Sequence, residues 1–228
     1  MNNKKSIALF DLDMTIFKEY SIFSLTKYLV KEKILEEYVF AKMLEKSKEY
    51  KDGLISYSET AVSLLQIWAE SLKGVNYNDV KEKTKDFFEE NIDKFYSYFE
   101  QLLPDLKKTH VVYLVTAGPQ FVSEVIKEKF EMDGFLSTEF EVLDGKFTGS
   151  ITSSLADGKQ IVGDLLSKYE GDNFAFGDSE NDIGMLERVK NPVCINPTEK
   201  LLEVAKERGW LVVSDAEAYE KVAELLNK

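Results

Sequence analysis

From Leu103 onward, short apolar runs alternate with stretches of helical periodicity, and this alternation narrows the possible fold more than any other feature. Strands are expected at 111–115, 174–176, 193–195 and 211–213. Helices are expected at 120–130 and 157–169, and from near Ser179, Thr198 and Asp215. Strands alternating with helices imply a mainly parallel sheet covered on both faces. The runs 140–143 and 146–151 flank Asp144-Gly145, a hairpin signal. Another short apolar run, 6–10, opens the chain as a strand and ends at Asp11. Residues 17–100 differ in kind. They contain no proline, and their apolar side chains recur at three and four, as in Phe23, Leu25, Tyr28 and Leu29, then Val62, Leu64, Leu65 and Trp68. Four helices are expected there, near 20–32, 36–51, 56–73 and 76–97. The expected organisation is an α/β core of residues 1–16 and 101–228, interrupted by an all-helical cap, 17–100. The chain would leave the core through 16–19 and return near 103–105.

A chain of 228 residues can bury one sizeable core and a smaller second lobe. Its net charge of -12 repels polyanions, so nucleic acid is not an expected partner. The lone histidine, His110, excludes Ser-His-Asp and Cys-His catalysis and multi-histidine zinc sites, and reads as structural. Cys194 is the only cysteine; it sits between apolar neighbours and reads as a buried thiol. The apolar run at 7–10 is too short for a signal peptide, and no stretch approaches the roughly 18 apolar residues of a membrane span. A cytoplasmic protein with no membrane partner is expected. Its chemistry must then rest on carboxylates, lysine, serine and threonine.

In open α/β sheets such chemistry gathers beyond the carboxyl ends of the strands. Asp11 and Asp13 follow the first strand with one residue between them, and Thr15 comes two later. They read either as a solvated turn with helix-capping acids or as a carboxylate pair neutralised by a hard divalent cation. Gly177-Asp178-Ser179-Glu180-Asn181-Asp182 repeats the arrangement after another strand. Ser179 and Asp182 have capping-box spacing, which accounts for them but not for Asp178, read as a metal ligand. Thr116-Ala117-Gly118-Pro119 places a hydroxyl and backbone N–H groups at a helix start, with Pro119 suited to the first turn; simple capping and phosphate binding both fit. Lys159 lies in the first turn of the helix opened by Asp157, where a cation opposes the helix dipole unless it reaches an anionic site.

Taken in order, these residues resemble the four signatures of the haloacid dehalogenase superfamily of phosphohydrolases. Asp11, Asp13 and Thr15 match the first, Thr116 the second, Lys159 the third, and Gly177, Asp178 and Asp182 the fourth. The hairpin at Asp144-Gly145 and the tail from Asn196-Pro197 to Gly209-Trp210 resemble the phosphoserine phosphatase-like branch. The resemblance implies a doubly wound, Rossmann-like core with an inserted helical cap. It implies a phosphatase acting on a small phosphorylated metabolite. Asp11 would be the nucleophile, forming an aspartyl-phosphate, and Asp13 the acid and then the base. Thr116, Ala117 and Gly118 would hold phosphoryl oxygens, and Lys159 would offset charge. Mg²⁺ would be held by Asp11, the backbone carbonyl of Asp13, and Asp178. Asp182 and Asn181 would support the metal shell or Lys159, and Thr15 and Asn181 would help bind substrate.

Phosphoserine phosphatases recognise the amino acid through a Glu after the first signature and an Arg in the cap. Glu19 stands near the first position, but the only arginines, Arg188 and Arg208, lie outside 17–100. Lys18 and Lys27 could replace the missing clamp only as point charges. The same signatures also suit a phosphomutase or phosphotransferase. They suit a non-catalytic sensor of a phosphorylated metabolite less well, and a dehalogenase has no need of Asp13 and Asp178. Phe23, Tyr57 and Trp68 read as core residues, given their helical spacing, rather than as a substrate cradle.

Overall fold

The computed structural model describes residues 6–155 and 162–226. Seven strands form one sheet: β1 (Ser6–Phe10), β2 (His110–Pro119), β3 (Gly134–Leu143), β4 (Lys146–Ser153), β5 (Phe174–Gly177), β6 (Asn191–Ile195) and β7 (Leu211–Val213). The order is β4-β3-β2-β1-β5-β6-β7, parallel throughout except for the antiparallel β3–β4 hairpin. Strand order therefore reverses around β1, with β2 on one side and β5 on the other.

The period of two along β1 decides the layers. Ala8 and Phe10 face one apolar cluster with Leu114, Phe176 and Ile195. Ile7 and Leu9 face the other, with Val115, Ala175 and Cys194. The first face is covered by α5 (Ser97–Thr109), α6 (Gln120–Phe130) and α10 (Asp215–Leu226). The second is covered by α7 (Gly163–Leu166), α8 (Ile183–Leu186) and α9 (Glu199–Arg208). This is the expected doubly wound α/β architecture. His110 is buried, with Nε2 2.9 Å from the Asp172 carbonyl oxygen and Nδ1 2.8 Å from the Thr109 hydroxyl. Cys194 is buried too. No helix among the described residues is long and apolar enough to cross a membrane.

The insertion after β1 contains α1 (Ser21–Lys31), α2 (Glu37–Lys51), α3 (Tyr57–Ser71) and α4 (Tyr77–Glu90), close to expectation for the first three. The fourth expected helix, 76–97, is two elements and a break. α4 stops at Asn91, whose backbone N–H (3.1 Å) and side-chain amide (2.8 Å) both donate to the Phe87 carbonyl. A 3₁₀ turn, Ile92–Lys94, and an extended Phe95 follow before α5 begins. Pro104 lies inside α5, not at a boundary. It removes one helical hydrogen bond, and burial of Tyr98, Phe99, Leu102, Leu103 and Leu106 offsets that loss.

The return crossing is accordingly at 94–96 rather than 103–105. Lys18 N–H donates to the Lys94 carbonyl and Tyr96 N–H to the Ile16 carbonyl, each at 2.9 Å, and Phe17 bridges Phe95. A second attachment, invisible in the sequence, joins the α3–α4 connection to the hairpin. Gly74 N–H donates to the Phe147 carbonyl (2.8 Å), Phe147 N–H to the Val75 carbonyl (3.0 Å), and Tyr77 N–H to the Gly145 carbonyl (2.9 Å). Trp68 of α3 stacks on Phe121 of α6, and Lys81 of α4 pairs with Glu124 at 2.7 Å. The insertion is held over the carboxyl ends of the strands from two sides.

Candidate active site

Three adjacent strands deliver the acidic residues and Thr116 to one place. The β1 and β5 registers pair Phe10 with Phe176, so Asp11 and Asp178 emerge side by side; Asp11 N–H donates to the Phe176 carbonyl at 3.0 Å. Asp11, Asp178 and Asp182 are all buried, and each offers a carboxylate oxygen within 4.8 Å of the others'. The sequence reading kept Asp182 one step back from the metal; the structure brings its carboxylate into the same cluster.

Asp182 is held there by a local device. Ser179 and Asp182 form the expected capping box around the 3₁₀ turn Glu180–Asp182. Asp182 Oδ2 accepts from Asp178 N (3.0 Å), Ser179 N (3.0 Å) and Ser179 Oγ (3.3 Å). So tight a turn requires a glycine before Asp178. A Cβ on Gly177 would lie 2.5 Å from both Cβ and Cγ of Asp182. Asn181 is half-buried on the same turn, and its side chain makes no hydrogen bond to the acidic cluster among the described residues.

After β1 the chain coils tightly. The Leu12 carbonyl accepts from Ile16 N (3.0 Å) and Phe17 N (2.9 Å), and Met14 takes a left-handed φ of 59°. This coil turns Asp13 toward the insertion, where its Oδ1 accepts from Ser21 N at 3.0 Å, in the first turn of α1. Asp13 thus reaches the cavity below the insertion and is not part of the three-carboxylate cluster. Thr15 is fully buried; its carbonyl accepts from Tyr98 Oη at 2.6 Å, and its hydroxyl has no partner among the described residues. Tyr98 was not singled out from sequence, because nothing local marks a residue that braces a loop 83 positions away.

Thr116 lies within β2, not at a helix start, and Pro119 is the N-cap of α6 rather than its first turn. Between Val115 and Pro119 the chain takes four steps against two along β3, from Leu136 to Thr138. This bulge lifts 116–118 out of the ladder. Thr116 Oγ1 accepts from Gly118 N at 3.1 Å, and the Ala117 carbonyl accepts from Thr138 Oγ1 at 2.7 Å. Lys159, with the start of its expected helix, lies outside the described residues.

Over these groups lies a cavity of about 450 Å³ between insertion and core. Asp13, Ala117 and Gly118 line its floor, and Tyr20, Phe23, Tyr57, Leu64, Leu65 and Trp68 line its walls. Of the three read from sequence as core, Trp68 is both core and cavity wall, Phe23 packs against the core from the wall, and Tyr57 is a half-buried wall residue outside the core. Burial, then the charges of Asp11 and Asp182, raise the Tyr57 phenol well above its ordinary value. Burial, then Asp178 and Asp13, push the Tyr20 phenol up to about 12. Both hydroxyls stay protonated donors at neutral pH. Glu19 pairs instead with Lys94 at 2.8 Å, Lys18 Nζ donates to the Asp93 carbonyl at 2.9 Å, and Lys27 lies over Phe40; none of the three lines this cavity.

The donor chemistry of the acidic cluster is all carboxylate oxygen, from one half of an open sheet's switch point. Such a set fits a hard cation such as Mg²⁺, which prefers oxygen ligands and offsets crowded negative charge. Fold and site together define an open α/β protein with a carboxylate site at the strand-order reversal. The chain belongs to the haloacid dehalogenase-like hydrolases, matching that family over residues 8–187. It is 25% identical over 224 residues to a histidinol-phosphatase of Neisseria meningitidis serogroup C, covering 92% of this chain and 99% of that protein. It is 26% identical over 209 residues to a phosphoserine phosphatase of Methanocaldococcus jannaschii, covering 88% and 90%. Its fold matches a structure described as a phospho-aspartyl intermediate analogue of phosphoserine phosphatase with a TM-score of 0.63, at 22% identity, covering 88% and 91%.

Proposed function

We propose that this chain is a magnesium-dependent phosphomonoester hydrolase that works through an aspartyl-phosphate on Asp11, with residues 17–100 acting as its cap. That it is a phosphatase of the haloacid dehalogenase type follows from the family and from the phosphatases it resembles. The observation that carries the finer reading is the buried trio Asp11, Asp178 and Asp182, with Asp13, two residues from Asp11, lining the cavity between insertion and core. The relatives named for histidinol phosphate and phosphoserine support a small phosphorylated metabolite as substrate.

Asp11, Asp178 and the backbone carbonyl of Asp13 would hold Mg²⁺, with Asp182 beside them. Bound there, the ion would neutralise charge shared between carboxylates and phosphoryl oxygens. A carboxylate oxygen of Asp11 bonds to phosphorus as the bond from phosphorus to the alcohol oxygen breaks. Asp13 gives a proton to that departing oxygen. It then takes one from the water that attacks the same phosphorus and frees Asp11. Its hydrogen bond from Ser21 N orients it for both steps. Thr116 accepts from Gly118 N, leaving its own O–H to donate to a phosphoryl oxygen. Lys159, from the sequence pattern, would offset the charge on Asp11. The insertion excludes water from this exchange.

Turnover of p-nitrophenyl phosphate with Mg²⁺, with excess EDTA, and by Asp11→Asn tests the reading. Activity should vanish with chelator and return with Mg²⁺. Asp11→Asn should lose on the order of 10⁴-fold or more in turnover while keeping its fold by circular dichroism. Undiminished activity in chelator, or near-normal turnover by the folded variant, overturns the mechanism.

A further inference from the structure

The cavity over Asp13 says something about the alcohol that leaves. Its volume, about 450 Å³, is several times the roughly 150 Å³ that suffices to take up benzene. Its walls are ring and branched side chains. Three of the polar groups among them are spent within the protein, and the Tyr20 and Tyr57 phenols are neutral. Trp68 Nε1 donates to Thr26 Oγ1 at 2.6 Å, so its ring offers the cavity only apolar surface. Thr60 Oγ1 donates to the Ser56 carbonyl at 2.8 Å, and Ser47 Oγ to the Met43 carbonyl at 2.9 Å. Neither hydroxyl has a proton left for a carboxylate. Among the described residues the lining contains no arginine, histidine or glutamate; Lys51, its cation there, is the exposed last residue of α2, and Asp13, its carboxylate there, is employed by the reaction.

We infer that this cavity is a leaving-group chamber for an uncharged, ring-bearing alcohol, which makes aryl and arylalkyl phosphomonoesters the preferred substrate class. The inference rests on the proposed phosphatase reading and deepens it. A zwitterionic alcohol such as serine would lose water from an ammonium and a carboxylate and find, among the described lining residues, neutral phenols but no buried countercharge beyond Asp13, a costly transfer. An apolar ring gains by the same transfer. Tyr20, Phe23, Tyr57 and Trp68 supply ring faces and edges for it. Ala61 leaves the space beside Leu64 and Leu65 open.

The test compares kcat/KM, with Mg²⁺, for 2-phenylethyl phosphate, ethyl phosphate and O-phospho-L-serine, whose leaving groups are all primary alkoxides. The phenylethyl ester should exceed both others by about 100-fold. Ala61→Phe, which fills the chamber, should remove most of that advantage through KM and leave ethyl phosphate within about twofold. Ser47→Arg, at a half-buried position in the lining, is the second variant, its fold checked by circular dichroism. It should raise the phosphoserine value and lower the phenylethyl value. Phosphoserine equal to or above the phenylethyl ester overturns the chamber, as does an advantage that survives both substitutions. Failure of the parent reading has a different signature, no turnover of any of the three esters by folded enzyme. In that event 2-phenylethanol alone, titrated against tryptophan fluorescence, reads the chamber directly; saturable quenching in the wild type, absent in Ala61→Phe, supports it, and no quenching overturns it.

Discussion

Replacing Gly177 by alanine puts a methyl carbon where Asp182 already is. The new Cβ would sit 2.5 Å from Cβ and Cγ of Asp182 and 2.6 Å from its Oδ2. Non-bonded carbons rest at about 3.5–4.0 Å, so one of the two residues must move by about 1 Å. Both are constrained. Gly177 ends β5, in register with Cys194 of β6, and Asp182 Oδ2 is gripped by three donors at 3.0–3.3 Å. Losing one bond to a charged acceptor costs about 1.5–3 kcal/mol, and overpacking costs about 1–3 kcal/mol. A destabilisation of about 3 kcal/mol is expected, equivalent to a Tm fall of roughly 6–12 °C for a chain of this size. Urea unfolding at unchanged m-value gives the free energy. Gly163→Ala is the control, because its added Cβ meets nothing within 4 Å. The displaced turn carries Asp178, so Gly177→Ala should also need more Mg²⁺ for half-maximal turnover. A loss below about 1 kcal/mol, with Mg²⁺ dependence unchanged, would refute the claim that close approach is why glycine stands here.

Tyr98→Phe should cost about 1–3 kcal/mol, because the buried Thr15 carbonyl loses its 2.6 Å donor; turnover should fall more than thermal stability alone explains, since Thr15 belongs to the coil between Asp11 and the insertion. A variant with wild-type stability and kcat would show that the coil holds itself. Burial, then the charge of Asp182, push the Cys194 thiol up to about 12 from an ordinary 9.0. The folded thiol keeps its proton, so native protein at pH 8 should resist iodoacetamide until urea unfolds it. Because the unfolded thiol ionises first, the stability this group contributes is present below pH 9 and is lost as pH rises toward 12. Labelling of native protein at the rate of a free cysteine would contradict this.

Much of the site was legible because its signals are local. Asp11 and Asp178 were placed by short apolar runs that end in polar residues, and a strand's period of two is written into its own sequence; Thr116, expected just past its strand, lies within it. The Ser179–Asp182 capping box is likewise a contact over three residues, and it formed as expected. The core helices α6, α9 and α10 began within about a residue of their sequence signals.

The remainder depends on contacts between distant segments. Asp182's place among the carboxylates follows from β1 and β5 lying in register, and Gly177's necessity from a contact that only the folded turn creates. The break at Asn91 divides what apolar spacing reads as one helix, 76–97, and α5 runs on through Pro104. At the end of α4 the Asn91 side chain adds a second donor to the Phe87 carbonyl, and in α5 burial against the sheet offsets the hydrogen bond lost at Pro104. Helical spacing identified the apolar faces carrying Phe23, Tyr57 and Trp68, but not what those faces meet. The order of residues already says which side chains are chemically capable and where along the chain they come. That the β3–β4 hairpin grips the insertion and that aromatic side chains line a cavity above Asp13 came from contacts between distant segments. The physical reason is that strand periods and caps are settled within a few residues, while a cavity is settled by what side chains far apart in sequence leave unfilled.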